Sequence, residues 1–99
     1  MTTQKRTKQG QAKHDKKVQQ RVDFYKKKGA AFVRADLPGG TKPPKLGRKI
    51  PDLYIRLNGN LIVEEIETPK TLKDDKKQQE ILKKETKKRG GVFKVIVTK

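Results

Sequence analysis

The chain has no cysteine and a single histidine, His14. Without thiols there is neither a disulfide framework nor a thiolate zinc site, and one imidazole argues against a His-rich metal centre and against a Ser-His-Asp triad. Apolar residues are also scarce, at 30% of 99 residues, so the chain is one small domain with a thin core. No apolar run approaches the roughly 18 residues that a membrane-spanning helix requires. Residues 1–10 are polar and basic with no apolar segment behind them. They do not read as a secretory signal, and the expectation is a cytoplasmic protein. Acidic residues number 11 against 27 Lys and Arg, giving a formal net charge of +16. Such an excess attracts polyanions, either nucleic acid or an anionic membrane surface. A bound metal, if any, would be a hard cation held by oxygen, Mg2+ or Mn2+.

Residues 1–9 carry Lys5, Arg6 and Lys8 with nothing to bury, and read as a disordered basic arm preceding a single domain over 10–99. From Gln11 to Lys28 there is neither Pro nor Gly. Val18, Val22 and Tyr25 fall at helical spacing there, with Ala12 and Phe24 as candidates to widen the stripe. Gly29 is the expected stop. Ala30 to Leu37 reads as a first strand. Residues 38–49 hold three Gly and three Pro among Lys42, Lys45, Arg48 and Lys49, and read as a long mobile basic loop.

Two segments then alternate around Asn58-Gly59, a strong hairpin signal. In the first, Leu53, Ile55 and Leu57 share one face, while Asp52, Tyr54 and Arg56 share the other. Thr68 to Arg89 reads as one long second helix, with Thr68 or Thr71 as cap and Leu72, Gln79, Leu82 and Thr86 as its meagre buried side. Val92 to Thr98 reads as the clearest buried strand. The expected fold class is α/β, with an αβββαβ order and a four-stranded mixed sheet flanked by two helices.

The second hairpin segment ends in Glu64-Glu65-Ile66-Glu67. Period-2 geometry puts Glu65 and Glu67 on one face and Glu64 and Ile66 on the other. Asp52 and these glutamates lie at the turn-distal ends of paired strands, so three carboxylates are expected to converge. That set would suit metal-assisted hydrolysis of a phosphodiester. The competing reading makes the glutamates solvated ends of an edge strand, paired to surplus lysines.

These motifs resemble the PD-(D/E)XK nuclease superfamily, which includes type II restriction enzymes, archaeal Holliday-junction resolvases and RecB-type nucleases. Pro51-Asp52 matches the first half of the motif and Glu65-Ile66 the next two positions, but Glu67 stands where the family has Lys. The resemblance implies a restriction-endonuclease-like core over about residues 11–98 and a Mg2+- or Mn2+-dependent endonuclease, with Asp52, Glu65 and Glu67 as metal ligands. Glu67 cannot act as the family's cation. Either Lys70 or Lys49 substitutes, or Glu67 is a third ligand, or catalysis is lost and binding alone remains. Asp15, and Gln78 or Gln79, match the family's acidic residue in the first helix and polar residue in the second.

Lys13, Lys17, Lys42, Lys45, Arg48 and Lys49 are the candidate nucleic-acid contacts, reading charge and shape rather than bases. Phe24, Tyr25 and Phe32 read as core, and Tyr54 stays open because it shares the Asp52 face. DNA, including branched DNA, is the expected partner, with a basic RNA-associated protein on an unrelated fold as the alternative. The resemblance to resolvase-like members makes a homodimer possible.

Overall fold

The computed structural model describes residues 8–98. In chain order the elements are α1 (Lys8–Lys27), β1 (Phe32–Ala35), β2 (Leu53–Leu57), β3 (Asn60–Glu67), α2 (Pro69–Asp74), α3 (Lys76–Lys88) and β4 (Val92–Val97). The class is α/β. The four strands form one mixed sheet in the order β1-β2-β3-β4, antiparallel except for the parallel pair β3 and β4. No helix among the described residues is long and apolar enough to cross a membrane.

The hairpin forms as its residues dictate. Asn58 and Gly59 both take positive φ, 52° and 80°, which a two-residue turn between right-twisted strands demands. The resulting register sets Leu53 opposite Glu64 and Tyr54 opposite Val63. On one face, Val18, Val22 and Tyr25 of α1 pack with Ala35, Leu53, Ile55 and Ile66. On the other, α3 brings Leu82 onto Leu61 and Val63. Burying a side chain of this size contributes roughly 1.5–3 kcal/mol, and the two layers together hold the sheet between helices.

Several expectations change. The long second helix is two helices, so three flank the sheet rather than two. The break falls at Asp75, whose φ of −101° and ψ of 19° leave the helical range. Aspartate competes with the backbone for local hydrogen bonds and favours helix ends. Residues 1–7 of the expected arm lie outside the described residues, and α1 begins at Lys8, two residues inside it. The loop over 38–49 carries a buried anchor, Leu46, which is 1% exposed and packs with Leu61, Val63 and Leu82. Gly47 (φ +67°) lets the chain turn there against α3, since a Cβ at this position would stand 3.1 Å from Ile81 Cγ2.

The largest reversal concerns β3 and β4. Apolar β4 is the edge strand, with Val92 and Val97 exposed at 52% and 44%. Acidic β3 lies inside the sheet, and Glu64, Glu65 and Glu67 are all buried. The reading of these glutamates as a solvated edge therefore fails. Ala12, Phe24 and Phe32, taken as core, are exposed.

Candidate functional site

The face of β3 toward α1 carries Glu64 at 0% exposure. Arg21, one turn before Tyr25 on α1, reaches it with Nε at 2.9 Å from Oε1 and Nη2 at 2.7 Å from Oε2. The Tyr25 hydroxyl also donates to Glu64 Oε2. The bond to Glu64 holds the Arg21 guanidinium above its ordinary pKa, and burial together with the bond to Glu64 pushes the Tyr25 phenol up to about 12. Glu64 is a neutralised structural carboxylate, matched by a bidentate fork.

The opposite face is built differently. Asp52, just before β2, accepts the Ile66 N–H at 2.8 Å on Oδ2, while its own N–H donates to Glu65 Oε1 at 3.0 Å. Gln78 Nε2 on α3 donates to Glu65 Oε2 at 3.3 Å. Glu67 accepts the Thr71 hydroxyl at 2.6 Å and Gln79 Nε2 at 3.2 Å. Thr71 belongs to the capping box of α2: the Thr68 side chain accepts the Thr71 N–H, and the Thr68 N–H donates back to Thr71 Oγ1. The helix start is thereby bolted to Glu67. Gln79 also donates to the Leu72 carbonyl and spans the break between α2 and α3.

Among the described residues no Lys or Arg forms an ion pair with Asp52, Glu65 or Glu67. Burial, reinforced by repulsion from Asp52, pushes the Glu65 carboxyl up to about 10. Burial pushes Glu67 up to about 7 against the pull of its bond from Thr71. Carboxyls so far above their ordinary range favour the neutral form where no cation joins them.

His14, set aside in the sequence, stands here. Its ring is buried, with Nε2 at 3.2 Å from Asp52 Oδ2 and Nδ1 at 3.3 Å from Asp15 Oδ1. The signal was present: residues 14, 18, 22 and 25 form one helical stripe, and His14 is its fourth member. Asp15 does not reach the sheet carboxylates in its own right but holds the imidazole. Gln78 and Gln79, each weakly marked by sequence, both reach carboxylates.

The donor chemistry, carboxylate oxygens and one imidazole, fits a hard divalent cation. Among the described residues, however, no three His, Asp or Glu side chains converge as a ready-made metal group. The acids are joined in pairs, Asp52 to Glu65 through a backbone N–H and Asp52 to His14.

Lys70 is exposed in the first turn of α2, and Lys49 is half-buried before Pro51. Neither ion-pairs with the cluster. Of the proposed nucleic-acid contacts, Lys13, Lys45 and Arg48 are exposed, Lys17 is half-buried, and Lys42 pairs with Asp36 at 2.8 Å. Between Lys45 and Arg48, Leu46 packs on Leu61 and Val63, on the face of the sheet that also carries Glu65 and Glu67. A groove of about 430 Å3 between α3 and β4 is lined by Lys76, Gln79, Glu80, Lys83, Phe93 and Val95, and shares Gln79 with the site. No family model matches this chain, and neither a curated protein nor a solved structure does.

Proposed function

We propose that the chain is a metal-dependent nuclease acting on DNA, on a restriction-endonuclease-like core, with Asp52, Glu65 and Glu67 as the ligand set for Mg2+ or Mn2+. One contrast carries this reading. Two adjacent glutamates on one strand are both buried, and among the described residues only Glu64 has a Lys or Arg partner. Buried carboxyls without a cationic partner are costly, and their presence beside a strongly basic surface suits a site completed by a cation and a phosphate strand. A bound divalent ion would supply Lewis acidity there, lowering the pKa of a water and offsetting charge on the phosphate.

The remaining roles fall to the chain's own residues. Thr71 and Gln79 fix Glu67, and Gln78 fixes Glu65. His14, steadied by Asp15, can hold or release a proton at Nε2 beside Asp52. It is the imidazole beside Asp52, and the family's Lys position is held by Glu67. Lys13, Lys17, Lys45, Arg48 and Lys49 would track the phosphate backbone, with steep salt dependence.

A second reading, DNA binding without hydrolysis, is favoured by Glu67 at the motif Lys position and by the exposure of Lys70. Incubation with branched and linear DNA in Mg2+, Mn2+ and chelator separates the two. The nuclease reading expects cleavage that chelator abolishes and that Asp52→Ala loses while still binding DNA. Binding without cleavage in every metal overturns it in favour of the second. The possible homodimer belongs to the same reading, and sedimentation across a concentration series tests it.

A further inference from the structure

The sheet face that carries Glu65 and Glu67 is not covered evenly. α2 and α3 lie over β3 and β4, Leu46 of the 38–49 loop reaches Tyr54, and the rest of the β1–β2 half of that face carries Phe32 and Arg34 on β1 and Tyr54 and Arg56 on β2. The register pairs Phe32 with Arg56 and Arg34 with Tyr54, so aromatic and cationic residues alternate along and across the strands. The diagonal aromatics stack, with ring centroids 6.0 Å apart and planes 12° from parallel. The Arg34 guanidinium lies 5.2 Å from the Phe32 centroid. Phe32 is 36% exposed and Arg34 is exposed, while Tyr54 is half-buried against the cluster around Leu46 on the same face. None of the four positions is acidic.

We infer that this checkerboard is a docking platform for unpaired nucleotides of a DNA strand. A base would stack on Phe32, and Arg34 and Arg56 would meet the adjoining phosphates. The chemistry is specific in kind: a flat aromatic surface flanked by guanidinium groups offers a π-face and an anion site at once, and stacking of this sort tolerates any base. A protein partner would need its own acidic and apolar surface to match the same pattern. The placement is also consistent with use. Tyr54 pairs with Val63, which lies two positions before Glu65 on the same face, about 7 Å along the strand. A strand leaving the platform would therefore run toward the carboxylates. The inference rests on the DNA reading above and deepens it by naming the substrate class as partly single-stranded.

The test uses the full chain, which has no tryptophan. Phe32→Trp installs one reporter on the platform, to be titrated with a single-stranded oligonucleotide and with the matching duplex at equal salt, while anisotropy follows total binding. Expected are strong quenching by the single strand, a loss of about tenfold in single-strand affinity in Phe32→Ala, near-unchanged duplex affinity, and retention in Phe32→Tyr. Arg34→Ala should weaken the same interaction. An unquenched tryptophan in a saturated complex overturns the platform, as does Phe32→Ala binding single strands like the parent. Tighter, Phe32-dependent binding of the same sequence as RNA overturns the commitment to DNA. Absence of any DNA binding at low salt takes down the functional reading itself, whereas Mg2+-dependent cleavage in a Phe32→Ala protein with undiminished single-strand affinity removes only the platform.

Discussion

Glu64 and Glu65 are neighbours on one strand, are both buried, and live in opposite electrostatic worlds. Glu64 meets Arg21 and Tyr25 and is satisfied by the fold alone. Glu65 meets a backbone N–H, a glutamine amide and the repulsion of Asp52. The strand's alternation sends the first toward α1 and the second toward α3, and only α1 presents a cation there. The difference teaches that burial alone does not describe a carboxylate: burial is shared here, and a cationic partner among the described residues is not.

The comparison breaks most visibly at Arg21. Arg21→Met leaves Glu64 with the Tyr25 hydroxyl but no cation, and should cost about 3–5 kcal/mol in denaturant unfolding. Adding Glu64→Gln to that variant should recover part of the loss. A loss under about 1 kcal/mol would mean that Glu64 is not held by this pair.

The single substitutions to glutamine come next. Glu64→Gln should destabilise by about 2 kcal/mol, whereas Glu65→Gln should change metal-free stability at neutral pH by less than about 1 kcal/mol. The latter follows because burial already favours a neutral side chain at that position. Calorimetric titration with Mg2+ separates the two again: binding should be lost in Glu65→Gln and kept in Glu64→Gln.

The dependence on pH sharpens the same contrast. Glu65 and Glu67 have folded-state values raised from 4.5 to about 10 and about 7. A carboxyl raised in the folded state binds more protons there than in the unfolded chain. Its contribution is therefore fully present below about pH 4.5 and lost as pH climbs through the folded value. Metal-free melting temperature should fall from about pH 5 to pH 8, through both groups up to about pH 7 and through Glu65 alone above it, by on the order of 10 °C or more. Mg2+ should flatten the fall, and Glu67→Gln should make it shallower below about pH 7 and leave it unchanged above. A melting temperature that rises over this range would contradict the assignment.

The smallest effect concerns the loop anchor. Gly47→Ala places a Cβ on a residue of φ +67° and against Ile81 and Glu85. It should destabilise by about 1–2 kcal/mol without altering Mg2+ affinity.

A second pair of strands shows why parts of this were hard to read. Val92 to Val97 has the composition of a buried strand, and Leu61 to Glu67 that of a half-solvated one. Their positions in the sheet are the reverse, because strand order decides exposure and composition does not. The Asn-Gly turn, the alternation of Leu53, Ile55 and Leu57, and the opposed faces of Glu64 and Glu65 were legible, since each depends on residues a few positions apart. The break at Asp75 was not: Lys70 to Arg89 has no glycine or proline to announce it. His14 was overlooked as a lone imidazole although its place in the helical stripe was visible.

By itself the sequence determined the α/β order, the hairpin, the basic surface and the sides of the sheet on which each acid falls, because those follow from backbone period and local turn chemistry. Only the tertiary structure decided which acid found a cation, which strand became the edge, and that His14 meets Asp52. Those outcomes join groups about 40 residues apart, such as Arg21 and Glu64. A helix must pack before its side chains can choose among partners.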